Sequence, residues 1–188
     1  MDEGYAPEAI VNYLCLLGWS PKENREKVPI KEVMELFDLP QILRHNARFD
    51  IDKLNWLNGE YVRAALQTCK GKINTFDELP AYCGFYFTDD FDYNPQGVAK
   101  HFTAENRPRL KAAREAFSAL EKFDADNIEL TLKRTASKLG VKVGAIVHST
   151  RLAVTGSNVG PSLYHLLEVL GKQKVLTRID RALATFGR

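Results

Sequence analysis

Apolar residues recur along most of this chain at the three- and four-residue intervals of a helix face. Between Pro7 and Leu17 the positions Ile10, Val11, Leu14 and Leu17 fall at i, i+1, i+4 and i+7, predicting a helix with that face inward. Pro7 suits a first helical position, Gly18 a C-terminal stop, and Ser20-Pro21 breaks the chain. A second helix is predicted over 30–36, with Val33, Leu36 and Phe37 inward and Pro40 bounding it. A third runs over 51–66, with Asp50 as N-cap and Leu54, Leu57, Tyr61 and Ala65 as its buried stripe. Residues 68–74 read as a turn, and Thr75 with Glu78 fits a capping box for a further helix, whose start Pro80 blurs. Residues 88–96, rich in Asp, Asn and Pro, read as a loop.

The helical period continues beyond that loop. Leu110, Ala113, Phe117 and Leu120 mark one face of a helix over 104–122. Asp126 or Asn127 caps a helix over 128–139, ended by Gly140, and a helix over 143–154 follows. Residues 155–160 form a loop, Pro161 restarts a helix to Leu170, Gly171 closes it, and Val175, Ile179 and Leu183 mark a last amphipathic helix. No alternating run long enough for a strand occurs, and no fixed-period repeat. The expected class is all-α, as two small helical bundles in tandem.

Charge sharpens this division. The chain has 188 residues, 45% hydrophobic and 27% charged, enough apolar material for a core. Its net charge of +2 conceals an asymmetry: residues 1–95 carry 10 Lys/Arg against 16 Asp/Glu, residues 96–188 carry 16 against 8. A basic second half points to a polyanionic partner. We expect domains at 1–70 and 96–188, joined by a hinge with a connecting helix or loop at 71–95. The longest apolar stretch, Ala9–Leu17, contains Asn12 and is too short to span a membrane. The N-terminus has no basic run before an apolar one, and Cys15, Cys69 and Cys83 form neither a C-x-x-C pair nor an even set. These features favour a cytoplasmic protein without disulfides or zinc, with Cys15 as a small core residue.

Motifs for other chemistries are missing. Neither G-x-G-x-x-G nor G-x-x-x-x-G-K-[ST] occurs. His45, His101, His148 and His165 have no second ligand at helical spacing, so no metal site is expected. No nucleophile motif supports a Ser–His–Asp hydrolase. Basic residues do cluster: Arg107, Lys111 and Arg114; Arg134, Lys138 and Lys142; and Lys172, Lys174, Arg178 and Arg181. The first two sets have i, i+4 spacing, which stacks charges on one helix face. They read either as solvated faces or as surfaces that neutralise phosphates.

Three blocks carry a family resemblance. Gly4-Tyr-Ala-Pro-Glu-Ala-Ile-Val-Asn-Tyr-Leu-Cys-Leu-Leu-Gly-Trp-Ser-Pro21, Phe49-Asp-Ile-Asp-Lys-Leu-Asn-Trp-Leu-Asn-Gly-Glu-Tyr-Val-Arg63 and Leu152-Ala-Val-Thr-Gly-Ser-Asn-Val-Gly-Pro-Ser-Leu163 resemble, in order, segments of bacterial glutamyl-tRNA synthetases. The resemblance covers essentially the whole chain. It implies a stem-contact region followed by an anticodon-binding bundle, downstream of a catalytic domain whose ATP and glutamate sites this chain lacks. ATP and Mg are thus expected for a full-length enzyme and no cofactor here. The implied partners are tRNA-Glu, with tRNA-Gln as a second candidate, and the catalytic domain; the implied form is a monomer that touches no membrane. The family carries further helical residues where Arg63 and Thr75 here stand close together, so the hinge is shortened.

The resemblance also implies site residues. Lys72 stands where the family has an arginine that reads the last anticodon base, and lysine lacks the bidentate fork. Pro161 and Leu163 stand at anticodon-contacting positions; as plain structure, Pro161 starts a helix and Leu163 packs in the core. Arg151 lies beside that loop and can pair with phosphate. Lys53 and Arg63 flank Trp56 on the stem-contact helix as backbone contacts, with Trp56 expected in the core. Arg107, Lys111, Arg114, Arg134 and Lys138 complete the tRNA-backbone set. The alternative is a free-standing helical adaptor that binds protein rather than tRNA.

Overall fold

The computed structural model describes residues 4–21, 25–42 and 47–186; His45 and the first three residues lie outside this set. Among the described residues the regular structure is ten α-helices and two 3-10 turns, with no strand. The chain divides into two compact units, Met1–Ala64 and Ala65–Arg188, the division falling within one helix.

The first unit contains α1 (Pro7–Gly18), α2 (Ile30–Leu36), a 3-10 turn at Leu39–Gln41 and most of α3 (Ile51–Cys69). These bounds match the periodicity, but the buried face of α1 does not. Its inward residues are Ala9, Asn12 and Tyr13, whereas Val11 and Leu14 are exposed. Tyr13 packs with Leu54 and Leu57 of α3, flanked by Tyr5, Leu17 and Tyr61. Asn12 explains the inversion. Its Nδ2 donates to the Glu26 carbonyl at 3.0 Å, and its Oδ1 accepts from the Val28 N–H at 2.9 Å and the Tyr61 hydroxyl at 3.2 Å. A polar side chain that satisfies three groups is stable inside, and it turns the helix to face them. Burial, helped by the Glu8 charge, pushes the Tyr61 phenol up to about 12.

A second small cluster joins Trp19, Val28 and Val33, with Cys15 partly buried against it. Leu36 and Phe37, expected inward, are exposed. Trp56, expected in the core, is 45% exposed. It lies one residue before Leu57 and two after Leu54, and those two take the inward face of α3. Asp50 caps α3 as expected, its Oδ1 accepting from the Lys53 N–H at 3.0 Å.

The second unit holds the last turn of α3 and α4 (Leu79–Phe87), α5 (Pro95–His101), α6 (Asn106–Ser118), α7 (Ala125–Lys138), α8 (Val143–Thr155), α9 (Leu163–Leu170) and α10 (Lys172–Thr185). One core runs through it, built on Leu110, Phe117, Ile128, Leu132, Ile146, Leu166 and Ile179, among others. Helix α6 packs on α7, α8 and α10, and α9 closes over α7 and α10. Several boundaries differ from expectation, and the helix expected over 104–122 runs only Asn106–Ser118. The predicted loop ends at Pro95, where α5 begins with Asn94 Oδ1 accepting from the Gly97 N–H at 2.9 Å. Asp124, not Asp126 or Asn127, caps α7, its Oδ1 accepting from the Asn127 N–H. Pro161 lies before Ser162, the N-cap of α9, instead of opening the helix. At 75–78 the capping box is displaced: Glu78 accepts from the Asn74 N–H at 2.9 Å.

Gly156 ends α8 at φ 72°, and a Cβ there would sit 2.2 Å from the Asp92 carbonyl oxygen. Its own carbonyl accepts from the Asn94 N–H at 2.8 Å, so only glycine allows this close crossing.

Candidate nucleic-acid interface

The basic residues separate into two populations. Arg107 and Lys111 on α6, Arg134 and Lys138 on α7, and Lys72 in the turn after α3 are all exposed, and none forms an ion pair among the described residues. A one-turn spacing keeps each helical pair on one face. These five side chains are free to meet phosphate.

Lys70, Lys100 and Lys142 are exposed in the same way, whereas several other cations have internal partners. Arg114 forms a bidentate pair with Asp180 of α10, Nε–Oδ1 2.9 Å and Nη2–Oδ2 2.8 Å. Lys172 Nζ donates to the Ser118 and Leu120 carbonyls at 2.6 and 2.7 Å, capping the C-terminal end of α6. Arg178 is only 2% exposed. It donates to Asp89 Oδ1 at 2.8 Å, the Val154 carbonyl at 2.7 Å and the Thr88 carbonyl at 2.9 Å. Arg181 donates to the Asp89 carbonyl and lies over the Phe91 ring, 4.3 Å from its centroid. Of the C-terminal basic cluster, Arg178 and Arg181 therefore clamp the 88–91 segment and Lys172 caps α6, so these three serve the fold and do not form a phosphate surface. Burial raises the Asp89 carboxyl, but the Arg178 hydrogen bond and charge, with Lys174 and Arg181, outweigh it and hold Asp89 below the usual carboxylate range. In the first unit Lys53 pairs with Glu26 at 3.0 Å and Arg63 with Glu60.

The loop between α8 and α9 is internally braced. Thr155 Oγ1 accepts from the Ser157 N–H at 3.1 Å, and Ser157 Oγ accepts from the Val159 N–H at 3.2 Å. Arg151 Nη1 donates to the Pro161 carbonyl at 2.7 Å, and burial lowers its pKa. Pro161 is buried, and Leu163 is 3% exposed in the core. Neither side chain offers a surface to a base in this conformation, because the core claims both. The apolar residue that the loop does present is Val159, 64% exposed.

Two groupings escaped sequence reasoning because their members are remote in the chain. His101 and His148 stack with ring centroids 5.2 Å apart, and burial, the His148 ring and Lys100 together lower the His101 pKa. Phe91, Tyr93, Phe102 and Phe186 form a chain of ring contacts at 4.8–5.7 Å. Among the described residues no group of three or more His, Cys, Asp or Glu side chains is arranged to hold a metal ion. Among the described residues no helix is long and apolar enough to cross a membrane.

Comparison with known proteins accounts for this arrangement. The family model described as "Anticodon binding domain" matches residues 30–183, and that for the catalytic domain of class I tRNA synthetases (E and Q) matches residues 1–56. Glutamate–tRNA ligase of Methylacidiphilum infernorum is 38% identical over an alignment covering 95% of this chain and 47% of that protein. The Moorella thermoacetica ligase is 33% identical, with 96% and 44% covered. This chain thus spans about half the length of the curated relatives it matches. A crystal structure of a glutamate tRNA ligase from Elizabethkingia meningosepticum, in complex with its amino acid, superposes with a TM-score of 0.54 at 25% identity, covering 98% of this chain and 42% of that one. With most of its length under one family model and glutamate–tRNA ligases as its relatives, the chain belongs to the anticodon binding domain family.

Proposed function

We propose that the chain is the tRNA-binding part of a glutamate–tRNA ligase and positions tRNA-Glu for aminoacylation by a class I catalytic domain. The match of residues 30–183 to the anticodon binding domain family carries this reading, and the exposed, unpaired Lys72, Arg107, Lys111, Arg134 and Lys138 support it. Residues 65–188, the second unit, engage the anticodon arm and residues 1–64 the stem; 71–95, expected as the hinge, pack into the second unit through Cys83, Phe85 and Tyr86. Lys72 contributes a point charge near the anticodon. Arg151, Pro161 and Leu163 act by fixing the loop that carries Val159. Arg107, Lys111, Arg134 and Lys138 neutralise backbone phosphates; Lys53, Arg63 and Arg114 join them only by exchanging a carboxylate for phosphate. The working form is a cytoplasmic monomer. The adaptor reading is not favoured by the family matches.

The first unit leaves Val11, Leu14, Met34, Leu39 and Phe49 exposed, Met34 at 75%. Residues 1–56 fall under the catalytic-domain family model, so we infer that the rest of such a domain covers some of these apolar residues. Filter binding of tRNA-Glu at several salt concentrations tests the main reading. Five phosphate contacts give a slope of log K against log[salt] of about −4. Absence of binding at 50 mM salt would sink the proposal.

A further inference from the structure

Gly156 and Gly160 bracket the loop between α8 and α9, so the bonds within it, from Thr155 and Ser157, shape it without fixing its direction. Its far side is tied by Arg151, which donates to the Pro161 carbonyl. Its near side is tied from outside the loop, by Asn94 at the start of α5. The Asn94 N–H donates to the Gly156 carbonyl at 2.8 Å. The Asn94 Oδ1 caps α5 through the Gly97 N–H at 2.9 Å and also accepts from Asn158 Nδ2 at 3.3 Å. Asn158 directly precedes Val159, the apolar residue that the loop exposes. The Asn158 amide sits in space that Gly97 leaves open, since a Cβ on Gly97 would lie 2.0 Å from Asn158 Oδ1. That oxygen is buried without a partner among the described residues, so the bond to Asn94 is what orients the amide.

We propose that Asn94 is a positioning residue for anticodon reading: through Asn158 it aims Val159 at one base of the anticodon loop. The inference rests on the tRNA-binding reading and adds to it a residue that none of the implied contacts includes. Valine has no polar group, so it tells one base from another by contact and shape alone. Such contact is short-ranged: a gap of about 0.5–1 Å forfeits a quarter to a half of it. The direction of Val159 must therefore be held, and a swing of the neighbouring Asn158 opens that gap. Asn94 is suited to hold it because it is itself held twice, by Gly156 through its N–H and by Gly97 through its side chain, before Asn158 reaches it.

The test uses the full chain with a tRNA-Glu transcript and the same transcript carrying a different anticodon, and reads the ratio of the two affinities. One base contact gives the wild type a ratio of about 5 to 150. Asn94→Ser keeps the helix cap, since serine is as good an N-cap, but its shorter side chain does not reach Asn158. Asn158→Ala removes the same bond from the other side and leaves the cap alone. Each lowers the ratio about threefold or more with the salt slope unchanged, and the double variant lowers it no further, because both delete one interaction. Asn94→Asp keeps both acceptor bonds and restores the wild-type ratio, in which the effect of its charge on overall affinity cancels. If Asn94→Ser unfolds on melting, Asn158→Ala and Asn94→Asp decide. A wild-type ratio in Asn158→Ala, or a ratio in Asn94→Asp as low as that of Asn158→Ala, overturns the positioning role and leaves the tRNA-binding reading standing. A wild-type chain that binds neither transcript overturns both.

Discussion

Replacing Arg178 with alanine separates a structural arginine from a phosphate-binding one. The guanidinium reaches three acceptors: Asp89 Oδ1, the Val154 carbonyl and the Thr88 carbonyl. Losing a partner in a buried, hydrogen-bonded charge pair typically costs about 3–5 kcal/mol. Here the Asp89 side chain is 64% exposed and returns to water when its partner is gone, so the full figure does not apply. The Val154 carbonyl is different. It lies in the last turn of α8, where no further helical N–H reaches it, and its residue is fully buried. Leaving it unpaired costs about 1–3 kcal/mol. Removing the buried alkyl stem adds a cavity and lost contact, about 1–2 kcal/mol. The sum is about 2–5 kcal/mol, or roughly 8–19 °C in melting temperature for a unit of this size. Urea unfolding followed by ellipticity, with amide exchange in α8 and α10, reads it directly. Arg178→Lys keeps the charge but loses the fork and recovers less than half of the stability. A loss below about 0.5 kcal/mol, or weaker RNA binding in a variant of unchanged stability, refutes the clamp.

Gly156→Ala places a Cβ against the Asp92 carbonyl at a left-handed φ, so we expect a loss of more than about 2 kcal/mol in the same unfolding assay. Asn12→Ala leaves the Val28 N–H and the Glu26 carbonyl without partners, costing about 2–4 kcal/mol; Trp19 and Trp56 both lie in the first unit, so tryptophan fluorescence follows its unfolding. The lowered His101 pKa means that the unfolded chain binds its proton first, so stability is full above the ordinary histidine value of about 6.5 and falls as pH drops below it, levelling off beneath the folded value. The facing groups are His148 and Lys100. In His101→Phe, which keeps the ring stack, the pH dependence of the urea midpoint between pH 5 and 7.5 shrinks; an unchanged dependence contradicts it.

Much of the fold was legible because helical periodicity and glycine stops are local. The spans of α1, α2 and α8, and the ends at Gly140 and Gly171, follow from neighbouring residues. Which face turns inward was less legible, since that is fixed by partners far along the chain. Asn12 outweighs Val11 and Leu14 only because Val28 and Tyr61 arrive to satisfy it. The same limit applies to charge. Arg107 and Lys111 look no different in sequence from Arg114 or Arg178, yet Asp180 and Asp89 engage the latter two. Remote pairs such as His101 with His148, or Phe102 with Phe186, leave no signal in spacing at all.

The account turns on whether this helical unit reads an anticodon arm. The most direct measurement compares the affinity of the chain for a tRNA-Glu transcript with that for the same transcript carrying a different anticodon, at one salt concentration. Loss of one base contact at the loop that presents Val159, about 1–3 kcal/mol, predicts about 5- to 150-fold weaker binding of the altered transcript, with the same salt slope. Equal affinity for the two transcripts would contradict the account.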